Sequence, residues 1–282
     1  MAVEAAEHAT AELPSLFSVL EQGFGPHPVL RLLTEWQSLW FTLIAILAVA
    51  ILVRSGTRRQ TLVPRGLQNV FEIVMGGFDS FVCSILGPAG RAHTPFIGTL
   101  FLYILFMNWM GLIPLIHSPV AASGPSPIGL PIPTTTLPLA VCAILYVNLS
   151  ALRASGLGGY LHHLCGSPSH FLLWLVAPLV FAIHAIGELG KIFSLSMRLF
   201  GNISGEDTLI AVIISQSAKL AQGLHLWPVL PLHFPFLLLG LLTGVVQAFV
   251  FALLTTVYLA LMLPHEEHAE EAHHEEAPAH AG

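Results

Sequence analysis

Long apolar stretches constrain this chain more than any other feature of its sequence. A helix needs about 20 predominantly apolar residues to cross the hydrocarbon core of a bilayer. Four stretches are about that length or somewhat longer: 36–53, 96–116, 135–153 and 235–263. A fifth, from Pro178 to Gly223, is about twice that length. Only 9% of the residues are charged, whereas soluble domains carry about 25%. We therefore expect an all-α integral membrane protein with five membrane-crossing helices.

Residues 62–86 differ from these stretches because polar residues interrupt them. Gln68, Glu72 and Asp79 recur at helical spacing between apolar residues. This pattern is typical of an amphipathic helix that lies in the membrane interface. The sequence therefore predicts one interfacial amphipathic helix in addition to the five crossings.

Two segments rich in Gly, Pro and Ser, 117–133 and 154–170, are predicted to be loops. The long apolar stretch beginning at Pro178 follows the second of them. As a straight helix of about 45 residues it would be about 65 Å long, roughly twice the thickness of the bilayer core. We expect this helix and the last one to form a hairpin that lies obliquely in the membrane.

Arginine positions indicate which side of the membrane each loop faces. Residues 117–134 carry no Lys or Arg, whereas five arginines flank the region between the first two crossings: Arg54, Arg58, Arg59, Arg65 and Arg91. Because Lys and Arg concentrate in cytoplasmic loops, 54–95 is predicted to face the cytoplasm. The expected domains are an extracytoplasmic segment 1–35, a membrane domain 36–263 and a cytoplasmic acidic, His-rich tail 264–282. The tail lacks an apolar period and is predicted to be disordered.

Other sequence features exclude several classes of protein. No Lys or Arg precedes Arg31, which argues against an ordinary secretory signal and against an Arg-rich transit peptide. Cys83, Cys142 and Cys165 are too widely spaced for a disulfide framework or a metal knuckle. The five histidines of the tail are interpreted as part of a solvated segment rather than as a metal site. We expect no cofactor, no metal and no nucleic-acid partner.

A narrow polar stripe runs along the longest apolar stretch. At 100° per residue, its strongly polar residues fall within about 80° of one another on a helical projection. They are His184, Glu188, Lys191, Arg198, Asn202, Glu206 and Gln216. Asp207 is the exception, at about 140° from His184. The other faces carry mainly Leu, Ile, Phe, Val and Ala, so the stripe is not the solvated face of an ordinary soluble helix.

Arg198 places a permanent charge in this stripe. A charge at mid-membrane costs at least about 2.5–3.5 kcal/mol, so it faces a partner, a cavity or water. An arginine guanidinium keeps its charge in proteins, whereas Glu188, Glu206 and the histidine can change protonation. The stripe therefore combines one permanent charge with several groups that can pass protons, as a proton route with an electrostatic barrier requires.

Structural interpretations of the same residues stay open. Lys191 can extend toward the interface or form an i, i+3 ion pair with Glu188. Arg198 can form a helix–helix salt bridge that has no part in transport. His184 can be a hydrogen-bonded interior histidine rather than a proton relay.

Fewer polar residues occur on the remaining helices. On the last one, Gln247 and Tyr258 share a face, and Gly240 and Gly244 permit close approach of another helix. Asn108 is a lone amide in the second crossing. Such an amide commonly bonds across helices, so Asn108 is only a possible site residue.

Several motifs together resemble subunit a of the F-type ATP synthase. The most specific is "SLSMRLFGN" at 194–202, followed by a Gly-Glu pair. The resemblance covers roughly residues 60–268. Four further stretches agree with it: "GLQNVFEIV" at 66–74, "GTLFLYILFMNWMGLIP" at 98–114, "PTTTLPLAV" at 133–141 and "VVQAFVFALLTTVYLALMLPHEEH" at 245–268.

The resemblance implies a function for the chain and a role for some of its residues. In that family the subunit is a non-catalytic stator, which presents two aqueous half-channels to a rotating c-ring and so couples proton flow to rotation. Arg198 would separate the half-channels and face the ring carboxylate. Asn202 and Gln247 would line the route, and Glu206 would be the acidic residue of the access channel. The implied partners are the c-ring, the peripheral-stalk b subunits and the rest of the synthase, in the plasma membrane of a bacterium.

The sequence departs from the family pattern at two places. Many members carry a glutamate fourteen residues before the arginine, where this chain has His184, and Glu188 follows one turn later. Either residue is a candidate for that role. Glu206 and Asp207 compete for the access-channel role, and the helical projection favours Glu206. Lys191, Tyr258 and Asn108 complete the possible proton-translocation residues.

Two other classes of membrane protein compete with this interpretation. A stand-alone proton or ion transporter is expected to show an internal repeat, and none is visible between the halves of the sequence. A haem-binding redox enzyme needs paired axial ligands. Neither internal histidine, His184 or His233, has a convincing axial partner on a second crossing.

Overall fold

Six long α-helices form the described part of the chain. The structure is a computed structural model that describes residues 36–57, 66–113, 123–124, 132–133, 135–166, 171–224 and 234–263. The helices are α1 (Gln37–Thr57), α2 (Leu67–Leu86), α3 (Thr94–Gly111), α4 (Thr136–Leu164), α5 (Phe171–Leu224) and α6 (Phe234–Met262). A short 3-10 helix, Pro88–Ala92, joins α2 to α3. Two-residue strands, β1 (Ser123–Gly124) and β2 (Ile132–Pro133), pair antiparallel between α3 and α4.

The predicted all-α membrane class is confirmed. All six of these helices are long and apolar enough to cross a membrane. They include α2, whose predicted interfacial position, like the count of five crossings, stays a prediction. The predicted extracytoplasmic segment 1–35 and tail 264–282 lie outside the described residues.

The predicted start of the longest helix at Pro178 was wrong. Helix α5 begins at Phe171 and contains Pro178 in its interior, giving it 54 residues. A proline removes one backbone hydrogen bond and normally ends a helix, but membrane helices tolerate it because neighbouring groups satisfy the freed carbonyl. If straight, α5 would be about 80 Å long.

The loop predicted for residues 154–170 was also wrong over most of its length. Helical structure continues to Leu164, interrupted only at Gly156, where φ is 67° and ψ is 170°. Glycine adopts this positive φ without the steric cost that a Cβ imposes. The Tyr160 hydroxyl lies 2.9 Å from Asn148 Oδ1, a distance that a straight helix does not allow for residues twelve apart. The chain therefore folds back after Gly156, and residues 157–166 are called the return segment below.

A column of small residues on α6 lets its neighbours approach closely. Every fourth residue is small and buried, in the series Gly240, Gly244, Ala248, Ala252 and Thr256. A Cβ built on Gly244 would lie 3.2 Å from Asn108 Cβ of α3. Helices associate in membranes mainly through this kind of close packing. The prediction that these glycines permit close approach is confirmed.

Helices α3, α5 and α6 contribute most of the main core. Its fully buried side chains include Ile97, Ile104, Met107, Leu195, Leu199 and Phe251. Helix α6 packs more extensively against α3 and α4 than against α5. The outer side of α5 carries exposed apolar residues, including Ile186, Leu189, Phe193, Met197 and Leu209.

Candidate functional site

Arg198 lies on the exposed side of α5. Its side chain forms no hydrogen bond or ion pair with any residue in the parts of the chain that the structure describes. On the inner side of the same turn, Leu195 and Leu199 are buried in the core. The guanidinium therefore faces away from the described helices, and the alternative in which Arg198 forms a helix–helix salt bridge finds no partner among them.

A buried hydrogen bond fixes α5 directly behind Arg198. The hydroxyls of Thr136 and Ser196 are 3.0 Å apart, and both side chains are fully buried. This contact holds the start of α4 against the middle of α5. The outward direction of the Arg198 side chain therefore rests on a fixed helix–helix contact.

Glu206 lies against α6, two turns after Arg198. Its Oε2 accepts a 3.2 Å hydrogen bond from Thr243 Oγ1. Its Oε1 is buried and has no hydrogen-bond partner among the described residues. A Cβ built on Gly240 would overlap that oxygen, so the carboxyl group needs a glycine at this position of α6.

Helix α3 adds further polar groups next to Glu206. Asn108 Nδ2 donates to the Gly244 carbonyl at 3.2 Å, and Trp109 Nε1 donates to the Leu241 carbonyl at the same distance. Asn108 Oδ1 is buried without a partner in the described structure. Gln247, one turn beyond Thr243, is 8% exposed. We call Asn108, Glu206, Thr243 and Gln247 the Glu206 cluster.

A second carboxyl group, that of Glu188, lies on the other side of Arg198 along α5. Its Oε1 is 2.5 Å from Lys191 Nζ, and its Oε2 accepts from Asn148 Nδ2 at 3.2 Å. The Tyr160 hydroxyl donates to Asn148 Oδ1 at 2.9 Å, and Lys191 Nζ lies 5.1 Å from the centre of the Tyr258 ring. These residues, Glu188, Lys191, Asn148, Tyr160 and Tyr258, form the Glu188 cluster, which joins α4, α5 and α6.

Asn148 and Tyr160 were missed by the sequence reasoning. Asn148 is a lone amide in an apolar stretch, the same signal that singled out Asn108. Tyr160 gave no signal because it follows Gly156 in a predicted loop. Only the reversal of the chain brings its hydroxyl to Asn148.

His184 is bonded to backbone rather than to either carboxyl group. Its Nδ1 is 2.9 Å from the Leu164 carbonyl oxygen. A carbonyl oxygen only accepts hydrogen bonds, so this nitrogen carries the proton and donates it. This bond agrees with the hydrogen-bonded histidine that the sequence left open, and a proton-relay role for His184 stays a prediction.

The predicted stripe is therefore divided into two clusters with Arg198 between them. Along the helix axis Glu206 lies about 12 Å from Arg198 on one side, and Glu188 about 15 Å away on the other. Asn202, half-buried, lies between Arg198 and Glu206. Asp207 is also half-buried, but no hydrogen bond or ion pair connects it to another described residue. Within the described residues no three His, Cys, Asp or Glu side chains come together as a metal site.

A separate polar contact lies at the junction of α2 and α3. Asp79 accepts from Thr94 Oγ1 at 3.0 Å and pairs with Arg91 at 3.4 Å. His93 Nδ1 is 2.9 Å from the Tyr146 hydroxyl, and burial lowers the pKa of His93 below its ordinary value. These contacts fasten the start of α3 to α2 and α4 and involve no residue of either cluster.

Comparison with known proteins identifies one family. A family model described as ATP synthase A chain matches residues 38–260. A protein of Protochlamydia amoebophila (strain UWE25) named ATP synthase subunit a is 36% identical over 264 residues, covering 94% of this chain and 93% of the relative. The protein of the same name from Aliarcobacter butzleri (strain RM4018) is 37% identical, covering 83% of this chain and 92% of the relative. A third, from Syntrophobacter fumaroxidans, is 32% identical over 80% and 82% of the two chains.

Proposed function

Since this chain belongs to the ATP synthase A chain family, we propose that it is the ion-translocating stator subunit of a rotary ATP synthase. It is a membrane subunit and makes or breaks no covalent bond of ATP itself. We propose that it provides two half-channels for protons, that Arg198 separates them, and that they deliver protons to and from a ring of c subunits. Bacterial relatives favour the plasma membrane of a bacterium as its location.

The exposed, unpaired position of Arg198 among the described residues is the observation that carries the proposal. A permanent charge on the apolar outer side of α5 is costly in lipid. A carboxylate on a partner that packs against this side would offset that cost. The surrounding exposed apolar residues, including Phe193 and Met197, suit a partner that is itself a membrane helix. A c-ring carboxylate fits both requirements.

The Glu206 cluster is proposed to be the lining of one half-channel. Glu206 is its titratable group, and the amides of Asn108 and Gln247 and the Thr243 hydroxyl can hydrogen-bond to water. The buried, unpartnered oxygens of Glu206 and Asn108 support this assignment, since buried polar atoms normally have a partner or a water. Asn202 would continue the polar lining from this cluster toward Arg198.

The Glu188 cluster is proposed to be the lining of the other half-channel. Glu188 is its titratable group, and Lys191 compensates its charge within the membrane. The arginine-rich region 54–95 supports placing the α3 start and the α4 end on the cytoplasmic side. With this orientation the Glu188 cluster would open to the cytoplasm and the Glu206 cluster to the outside. The peripheral-stalk b subunits would contact parts of the chain other than the face that carries Arg198.

The proposal is tested on membrane vesicles carrying Arg198→Gln in the assembled complex. We expect ATP-driven acidification to be lost while the complex still assembles, and passive proton leak to rise once the catalytic head is removed. Arg153→Gln is the matched control, because Arg153 is an exposed arginine on α4 outside both clusters. Acidification at the wild-type rate by Arg198→Gln would contradict the proposal.

One alternative function is tested in the same way. A stand-alone transporter would move ions without a ring, so the purified chain alone is reconstituted in liposomes. Ion flux through these liposomes would favour the transporter, whereas flux that requires the c subunits supports the stator.

A further inference from the structure

The return segment lies against α5 at Val180 and His184, just before Glu188. Beyond the reversal at Gly156 its first turns are exposed, with Leu161 46% exposed, whereas Leu164 at its end is only 6% exposed. Tyr160, in the middle of the segment, is half-buried and contacts the same small core cluster as Tyr258 of α6. The segment therefore packs back onto the helices instead of extending from them.

Three contacts fasten the return segment in place. Its Tyr160 hydroxyl donates to Asn148 Oδ1 at 2.9 Å. The Leu164 carbonyl accepts from His184 Nδ1, also at 2.9 Å. Gly166, with φ at 80°, approaches α5 so closely that a Cβ there would lie 2.9 Å from Val180 Cγ1. The segment is thus held at its middle and at its end.

The first of these contacts controls a group of the proposed proton route. An amide presents a carbonyl oxygen at one end and an N–H donor at the other. The Tyr160 hydroxyl occupies Asn148 Oδ1, and the Nδ2 end donates both to the Ile144 carbonyl at 3.0 Å and to Glu188 Oε2 at 3.2 Å. Tyr160 and the Ile144 carbonyl therefore orient Asn148 from its two ends, and Asn148 and Lys191 together orient the Glu188 carboxyl group.

We infer that the return segment is a cover over Glu188, that Asn148 and Tyr160 are positioning residues for its carboxyl group, and that His184 fastens the cover without carrying protons. This inference rests on the proposed function and assigns Glu188, rather than His184, as the titrating group upstream of Arg198. We leave His184 out of the route because its one bond among the described residues is to a backbone carbonyl and reaches neither carboxyl group. Its Nδ1 donates to a carbonyl in both the neutral and the charged imidazole, so the fastening does not depend on protonation.

An asparagine at position 184 can keep the hydrogen bond to the Leu164 carbonyl, because its Nδ2 lies near the place of the histidine Nδ1. It does not titrate, so it cannot carry protons. The variants His184→Asn and His184→Ala are compared in the assembled complex, in a background where Cys83 and Cys142 are replaced by Ser. Cys165, within the return segment, is the remaining thiol of this subunit, and its rate of maleimide labelling in vesicles reports opening of the cover. ATP-driven acidification is measured in the same vesicles.

We expect His184→Ala to label Cys165 about fivefold faster, the change that loss of one hydrogen bond makes to an opening equilibrium, and to pump several-fold more slowly. His184→Asn is expected to remain near wild type in both measurements. Loss of pumping by His184→Asn with wild-type labelling would overturn the inference, because His184 would then carry protons. Wild-type labelling in His184→Ala would also overturn it, because the contact would then hold nothing.

Tyr160→Phe tests the positioning role. Losing the hydroxyl leaves Asn148 held only through Nδ2, by the Ile144 carbonyl and Glu188 Oε2, so the amide can turn and the Glu188 carboxylate loses part of its donor. The pH profile of pumping should therefore move to higher pH, with the KM for ATP unchanged. Thr99→Val, which removes an exposed hydroxyl bonded only within α3, should leave the profile in place. An unshifted profile in Tyr160→Phe would remove Tyr160 from this role.

Failure of the inference is distinguishable from failure of the proposed function. Pumping by Arg198→Gln at the wild-type rate would refute the half-channel assignment while the labelling of Cys165 still reported the cover. Loss of pumping in Arg198→Gln, combined with no effect of His184→Ala on labelling, would refute the role of the return segment as a cover and leave the proposed function standing.

Discussion

The carboxyl group of Glu206 on α5 occupies the space that a side chain at Gly240 on α6 would need. A Cβ at position 240 would overlap Glu206 Oε1, while Oε2 is bonded to Thr243 one turn further along α6. The Glu206 carboxyl can therefore hold this position only while residue 240 of α6 has no side chain.

Gly240→Ala is expected to lower ATP-driven acidification several-fold while leaving assembly intact. The added methyl group forces the Glu206 carboxyl out of its position, but the flexible side chain can turn, so the helices need not separate. Gly76→Ala on α2 is the matched control, because a Cβ there meets no atom within 4 Å and α2 does not carry the Arg198 face. Equal acidification rates in the two variants would show that the position of the Glu206 carboxyl does not matter.

Replacing each of two neighbouring acids by its amide tests which one takes part in translocation. Glu206→Gln is expected to abolish ATP-driven acidification, since it removes the titratable group that lies against Thr243. Asp207→Asn should retain most of it, because no described residue bonds to Asp207. Both variants are compared in the same vesicles with assembly checked by blotting. The reverse ranking would transfer the role to Asp207.

Thr136→Val is expected to destabilise the subunit by about 1 kcal/mol, since it leaves the buried Ser196 hydroxyl without its partner. The double variant with Ser196→Ala should recover part of that loss, as both polar groups are then gone. Thr208→Val is the control, because the Thr208 hydroxyl is exposed and bonds only to its own helix. Thermal unfolding of the detergent-purified complex measures all of them, and strictly additive losses would count against the pair.

The stability of the α2–α3 junction is expected to fall in acid. Burial lowers the pKa of His93, so the unfolded chain binds a proton more readily than the folded one. The stability that neutral His93 contributes is complete above its ordinary value of 6.5 and is lost as the pH falls through the lowered value. As the pH falls from 6.5 to the lowered value, the wild type should lose thermal stability more steeply than His93→Asn. His162→Asn, at an exposed histidine, should follow the wild type.

The sequence predicted those parts of the structure that depend on helical periodicity. The pairing of Glu188 with Lys191 follows from their i, i+3 spacing and is present at 2.5 Å. The small residues of α6 likewise follow a regular period, and the close packing predicted at Gly240 and Gly244 is present. Both features lie within one uninterrupted helix, where spacing fixes direction.

The parts that could not be predicted depend on breaks in periodicity. At Gly156 the sequence is as compatible with a loop as with a helix that reverses, and only tertiary contacts decide between them. The bond between Tyr160 and Asn148 depends on that reversal. The helix start predicted at Pro178 was wrong because proline usually interrupts a helix, whereas here it lies within one.

The column of small residues on α6 also has a mechanical consequence. A stator bears the reaction torque of its rotor, and an interface built from long, flexible side chains would yield under such a load. Gly240, Gly244 and Ala248 instead bring the α6 backbone against its neighbours, leaving few rotatable bonds to deform. In the proposed motor this close packing of α6 would resist deformation, so that elastic strain is stored elsewhere in the complex. Arg198 would then keep its alignment with the turning ring.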